Sequence, residues 1–88
     1  MNRKIIIIRN YLKMCDDLKK YINQDFFPSD LYDVIDIIFF ITYTFTNENE
    51  YTQIIDDMLE IKNIELDNEK FELVCDIIIN FINLIKSL

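Results

Sequence analysis

The run DLYDVIDIIFFITYTF, residues 30–45, repeats its apolar positions with the period of a helix. On a helical wheel, one side collects apolar residues at steps of three and four: Leu31, Val34, Ile35, Ile38, Ile41 and Phe45. A strand would instead point every second residue to the same face, and would put Asp36 beside Ile38. The pattern therefore predicts a helix with one buried face.

The opposite side of this predicted helix is both acidic and aromatic. It carries Asp33, Asp36, Ile37, Phe40 and Tyr43. Aromatic rings that lie outside a core stripe and beside carboxylates are typical of protein interfaces, where a few rings supply much of the binding energy and charges steer the encounter. We predict that this set binds a protein partner. The alternative is that another helix of the same chain, or a second copy, covers it.

A first helix is predicted from about Arg3 to Asn23. Its apolar stripe consists of Ile8, Leu12, Cys15, Leu18 and Ile22, with Tyr11 beside it. The start IIIIR also fits a short strand, because β-branched residues favour sheets, but no partner strand is evident in the sequence.

Two further helices are predicted, from about Asn49 to Lys62 and from about Asn68 to Ser87. Asn47 followed by Glu50 resembles a capping box, and Asp67 or Asn68 is the expected cap of the last helix. The third helix has a core stripe of Tyr51, Ile54, Ile55, Met58 and Ile61. The fourth has one of Phe71, Val74, Cys75, Ile78, Ile82 and Ile85.

A second apolar stripe on the fourth helix holds Leu73, Ile77, Phe81, Leu84 and Leu88, and the first four of these are the predicted homodimer contacts. Together the two stripes cover more than half of the helix circumference, which is too much for a helix with a single neighbour. We therefore expect either the central helix of a bundle or a homodimer formed through this second stripe.

Residues 1–88 are predicted to form a single all-α domain, a small up-and-down four-helix bundle. A chain of this length is near the limit at which one hydrophobic core suffices, and its 51% hydrophobic content supplies that core.

Catalytic and cofactor chemistry is not expected. The chain has no Gly, which phosphate-cradling loops require, and no His, which removes the usual general base and any Cys/His metal site. The carboxylates fall on polar helix faces, and the two cysteines, Cys15 and Cys75, are expected to be buried free thiols. We predict no enzyme, no cofactor and no metal site.

The net charge of −7 is unevenly distributed. Residues 1–24 hold six basic and two acidic residues, so they carry +4 and residues 25–88 carry −11. An acidic body disfavours nucleic acids and anionic membranes as ligands and favours a basic protein partner. No apolar run is long enough for a membrane span or a signal peptide, so a cytoplasmic location is expected. The abundance of Ile, Asn, Asp and Lys indicates an AT-rich genome.

Two functions are expected from these features. The first is a small acidic binding protein that neutralises a basic partner, such as an immunity protein for a nuclease toxin or a phage or viral antagonist of a nucleic-acid-handling enzyme. In size, acidity and helical content the chain resembles the colicin-type immunity proteins, although no residue motif carries this resemblance. The alternative is a self-associating structural or regulatory helical module.

Overall fold

Side-chain caps define where the helices begin. A computed structural model of the chain describes residues 2–22, 36, 38, 40–44 and 47–88. Helix α1 spans Arg3–Tyr21, and its amide at Lys4 donates to the side chain of Asn2 at 3.0 Å. Residues 36, 38 and 40–44 are helical and belong to α2, while α3 spans Glu48–Ile61 and α4 spans Asn68–Ser87. Among the described residues there is no strand, and the all-α bundle of four helices is confirmed.

The predicted caps of the last two helices are confirmed. The Asn47 side chain accepts from the Asn49 amide at 3.0 Å, and Asp67, rather than Asn68, accepts from the Lys70 amide at 2.8 Å. Each carboxylate or amide oxygen satisfies a backbone N–H that has no partner within the helix. The α4 bounds agree with the prediction because this capping chemistry is local.

The end of α3 is a Schellman motif built without glycine. Asn63 adopts φ 56°, and its amide donates to the Glu60 carbonyl at 3.0 Å. The Ile64 amide donates to the Leu59 carbonyl at 2.9 Å, which satisfies a second terminal carbonyl. Asn tolerates this left-handed conformation better than most residues, so it takes the role that Gly usually has. The chain therefore reverses sharply between α3 and α4.

Helix α4 packs against both α1 and α3. The rings of Tyr11 and Phe81 lie 6.3 Å apart, which joins the first half of α1 to the second half of α4. Near the other end of α4, Lys86 donates to the hydroxyl of Tyr51 in the first turn of α3. These contacts agree with the predicted up-and-down order, and they explain the wide apolar arc of α4 by giving it two neighbours.

The core of the described residues is built from hydrophobic side chains, and no charged, amide or Ser/Thr side chain among them is buried. The largest fully buried side chains are Tyr51, Leu18, Ile38, Ile41, Ile55, Ile78, Ile82 and Val74. Ile38 and Ile41 confirm the predicted core face of α2, whereas Leu31, Val34, Ile35 and Phe45 lie outside the described residues. Cys15 and Cys75 are buried free thiols, as predicted.

Three predicted core residues are wrong. Cys15, Leu18 and Ile22 of the predicted α1 stripe are buried, but Ile8 and Leu12 are 55% and 56% exposed, because the buried side of α1 is centred on Leu18 and they lie at its edge. Ile61, the last residue of α3, is 78% exposed, and Ile64 and Leu66 of the following connection pack against the core instead. The strand alternative for residues 5–8 is also wrong, since all four lie within α1.

Candidate functional site

The exposed side of α2 carries a carboxylate and two aromatic rings. Asp36, Phe40 and Tyr43 follow one another at steps of four and three, which places them on one side of a helix. Asp36 is exposed, and the side chains of Phe40 and Tyr43 are 53% and 82% exposed. We call these three residues the acidic aromatic face. Asp33 and Ile37, the other two predicted members, lie outside the described residues.

The fold presents this face by anchoring the other side of α2. Ile38 and Ile41 are 1% and 0% exposed and belong to the central core cluster. The Thr42 hydroxyl donates to the Ile38 carbonyl at 2.7 Å, so this polar side chain is satisfied within its own helix. The acidic aromatic face therefore projects from a helix whose opposite side is fixed by packing.

The chemistry of this face is suited to binding. Exposed rings give apolar contact area at a low entropic cost, and their faces attract cations. A carboxylate beside them attracts lysine and arginine at long range and can accept a charge-assisted hydrogen bond at contact. The combination matches a partner that presents basic side chains around an apolar patch.

Two other acidic groups lie on exposed helix surfaces. Asp56, Asp57 and Glu60 are exposed on α3, and Glu69, Glu72 and Asp76 are exposed on α4. The side chain of Gln53 donates to Asp57 at 3.0 Å. Over the described part of the chain, no group of three or more Cys, Asp or Glu residues is arranged to hold a metal ion.

Burial and nearby acids suppress ionisation of the Cys75 thiol. Its pKa is raised from 9.0 to about 11, first by loss of solvent and then by the negative charges of Asp76, Asp56 and Glu72. A thiolate is the nucleophilic form of cysteine, and this environment disfavours it. The arrangement around Cys75 is that of a structural thiol.

An open groove of about 790 Å³ lies between α3, the 62–67 connection and the start of α4. Its lining alternates polar residues, such as Asn49 and Gln53, with apolar ones, such as Leu59 and Phe71. Asp56 and Glu60 contribute carboxylates to its rim. The lining mixes polar, apolar and acidic side chains without a cluster of one type, so the groove indicates a specific ligand less clearly than the acidic aromatic face does.

The predicted dimer face of α4 is largely engaged within the chain. Phe81 is buried and contacts Tyr11 of α1, and Ile77 and Leu84 are partly buried against the core. Leu73 is the member of this set that is exposed. A homodimer through Leu73, Ile77, Phe81 and Leu84 stays a prediction, and it would have to use the exposed edge of this stripe.

An exposed apolar stripe on α1 contains two residues that the helical period assigns to the core, Ile8 and Leu12. Ile5, Ile8 and Leu12 are between 44% and 56% exposed, and they share one side of the helix at steps of three and four. A signal was present in the sequence, because four of the residues from 3 to 13 are basic and none is acidic. Such a bias makes this part of α1 locally positive, so its surface attracts negatively charged groups.

Comparison with known proteins gives no family assignment. The chain matches no protein-family model, and neither the curated proteins nor the solved structures yielded a match. No helix within the described ranges is long and apolar enough to cross a membrane.

Proposed function

We propose that the chain is a small acidic binding protein that neutralises a basic partner through the acidic aromatic face. The observation that carries this proposal is the exposure of Phe40 and Tyr43 beside Asp36. Large rings are costly to leave in water, and on a protein surface they commonly mark an interface. The net charge of −7 supports a cationic partner.

A nucleic-acid-handling enzyme is the partner class that this chemistry favours. Such enzymes hold phosphates with clustered lysine and arginine side chains, and a carboxylate can occupy the same sites. The 11 excess negative charges of residues 25–88 would strengthen the long-range attraction to such a surface. A toxin nuclease neutralised by its immunity protein fits this description, and so does an enzyme blocked by a phage or viral antagonist.

Charge and rings have separable roles in this proposal. Asp36 and the acidic body speed the encounter, whereas Phe40 and Tyr43 slow dissociation once they are buried. Changing Asp36 to Asn should therefore mainly lower the association rate and its dependence on salt. Changing Phe40 or Tyr43 to Ala should weaken the free energy of binding by roughly 1–3 kcal/mol if the ring is a hot spot. Most of this loss should appear as faster dissociation.

The experiment is capture of binding proteins from the source cell on the immobilised chain, followed by binding kinetics with the purified partner. Ile61→Ala, an exposed apolar change on α3, is the matched control for the rings, and Asp57→Asn is the control for Asp36→Asn. The partner's nuclease or other activity is then titrated with each variant. Both control variants should inhibit as the wild-type protein does.

Two results would contradict the proposal. If the captured partner is acidic, or if its binding does not weaken with salt, the electrostatic argument fails. If the two control variants lose binding while the variants of the acidic aromatic face keep it, the interface lies on α3. The protein would then still be an inhibitor, but with a different surface.

A further inference from the structure

The first three turns of α1 depart from two rules of helix stability. No acidic residue lies in the first turn, which holds Arg3 and Lys4 beside the positive end of the helix dipole. Ile5, Ile8 and Leu12 expose 44%, 55% and 56% of their surface to solvent. Local departures of this kind are expected where a surface has a function other than folding the monomer.

The exposed isoleucines and leucine form a stripe with basic neighbours. Lys4 lies one helical turn before Ile8, and Arg9 lies one turn after Ile5 and just under one turn before Leu12. Lys4 and Arg9 are both exposed. We call Ile5, Ile8 and Leu12, together with Lys4 and Arg9, the basic apolar face.

The acidic aromatic face of α2 has the complementary composition and the same length. Ile5 to Leu12 and Asp36 to Tyr43 each span seven residue steps, which is about 10 Å along a helix. Rings on one face match aliphatic side chains on the other, and a guanidinium over an aromatic ring adds attraction. The Asp36 carboxylate can accept a charge-assisted hydrogen bond from Lys4 or Arg9.

From this complementarity we propose that the chain binds a second copy of itself, with the basic apolar face of one copy seated on the acidic aromatic face of the other. Contacts between unlike surfaces of identical chains close into a symmetric dimer when they form reciprocally, and extend head to tail when they do not. The proposal does not depend on the proposed function, because its test needs no partner.

A second copy is a better occupant of the basic apolar face than a nucleic acid or an anionic membrane. Both of those ligands repel a chain of net charge −7, and four basic residues from 3 to 13 offset only part of that repulsion. Another copy offers an acidic surface with exposed rings. At physiological salt, screening weakens the long-range repulsion between copies but spares pairs in contact.

The test is sedimentation velocity of the full chain across concentration, with charge-reversed variants of each face. One variant carries Lys4→Glu and Arg9→Glu, and the other carries Asp36→Lys and Thr44→Lys, all at exposed positions. Because like charges then meet at the contact, we expect self-association to weaken about tenfold or more in each variant. An equimolar mixture of the two should associate again, because each reversed face meets an opposite charge on the other variant.

A control variant separates contact pairing from net charge. Gln53→Lys with Asp57→Lys adds the same three positive charges as the α2 reversal, but on the exposed side of α3. We expect it to associate as wild type does. Far-UV circular dichroism confirms that every variant is folded.

Four results would overturn the proposal. A wild-type chain that stays monomeric at high micromolar concentration excludes self-association. Association that survives both reversals places the contact elsewhere, for example at Leu73. Failure of the mixture to associate shows that the two faces do not pair. Binding to phosphatidylserine vesicles that is lost with the Lys4→Glu and Arg9→Glu variant, in a monomeric chain, assigns the basic apolar face to lipid.

Discussion

Replacing Ile38 and Phe40 separately by Ala distinguishes a buried side of α2 from a binding side. The two residues lie close together on the same helix, but Ile38 is fully buried and Phe40 is about half exposed. Removing Ile38 leaves a cavity in the core, and such a change costs about 2–5 kcal/mol. A domain of this size has a total stability of only about 4–13 kcal/mol, so the loss is a large share of it.

The expected cost for Phe40 is much smaller. Burying a whole Phe side chain stabilises by about 1.5–3 kcal/mol, so half burial contributes about 1 kcal/mol. Ala is also the better helix former by a few tenths, roughly 0.5 kcal/mol, which offsets part of that loss. We expect Phe40→Ala to cost less than about 1 kcal/mol and Tyr43→Ala to stay within about 0.5 kcal/mol of wild type.

Urea unfolding followed by circular dichroism measures these differences. An unchanged slope with a lower midpoint reports a change of stability alone. Ile38→Val, at about 0.5–1.5 kcal/mol, replaces Ile38→Ala if the latter is too unstable to analyse. If Phe40→Ala lowers the midpoint as much as Ile38→Ala does, Phe40 is part of the core and the acidic aromatic face is not a binding surface.

Two further predictions concern the connection after α3 and the buried thiol of α4. Asn63→Ala should lower the free energy of unfolding by about 1 kcal/mol, because a Cβ disfavours the left-handed conformation, whereas Asn63→Gly should preserve or raise it. Asn83→Gly, at an exposed position within α4, should instead cost about 0.3–0.5 kcal/mol, because Gly is a poorer helix former than Asn. Thermal denaturation of the three variants therefore shows whether residue 63 favours Gly where a helical position does not. The folded-state pKa of Cys75 lies above its ordinary value, so the neutral thiol stabilises the fold below pH 9 and this contribution is lost as the pH rises towards about 11. Urea midpoints measured from pH 8 to 11, a range set by that pKa, should therefore fall more steeply for wild type than for Cys75→Ala, and parallel curves would show that Cys75 titrates as it does in the unfolded chain.

Local chemistry made much of the fold predictable. Asn47 and Asp67 indicate where their helices begin, because a capping side chain accepts a hydrogen bond from an amide at most three residues later. The period of the α2 run correctly separated Ile38 and Ile41 from Phe40 and Tyr43, since burial on a helix follows the wheel. Which molecule meets the exposed rings is a property of two surfaces, and one sequence contains only one of them.

The buried side of the first turns of α1 was not predictable in the same way, although Cys15, Leu18 and Ile22 further along are buried as predicted. Four consecutive isoleucines, residues 5–8, place an apolar side chain in every direction, so the wheel has no preferred side at the start of the helix. The side that faces inward is decided further along, where Met14 and Leu18 are buried and Tyr11 reaches Phe81 on α4. The packing of α4 decides which side of α1 is buried there, and that packing depends on tertiary structure and not on the local sequence.

Two apolar residues of α1 that the helical period assigns to the core, Ile8 and Leu12, are exposed. Ile8 and Leu12 were assigned to the core because apolar side chains at helical spacing usually pack against something. In the folded chain Cys15, Leu18 and Ile22 of that predicted stripe are buried, whereas Ile8 and Leu12 lie at its edge and are exposed beside Lys4 and Arg9. The monomer leaves about half of each of these side chains in water, whereas a second chain with exposed rings and a carboxylate would bury them. The same periodicity that misplaced these residues in the core is therefore the strongest sequence argument that α1 packs against another molecule.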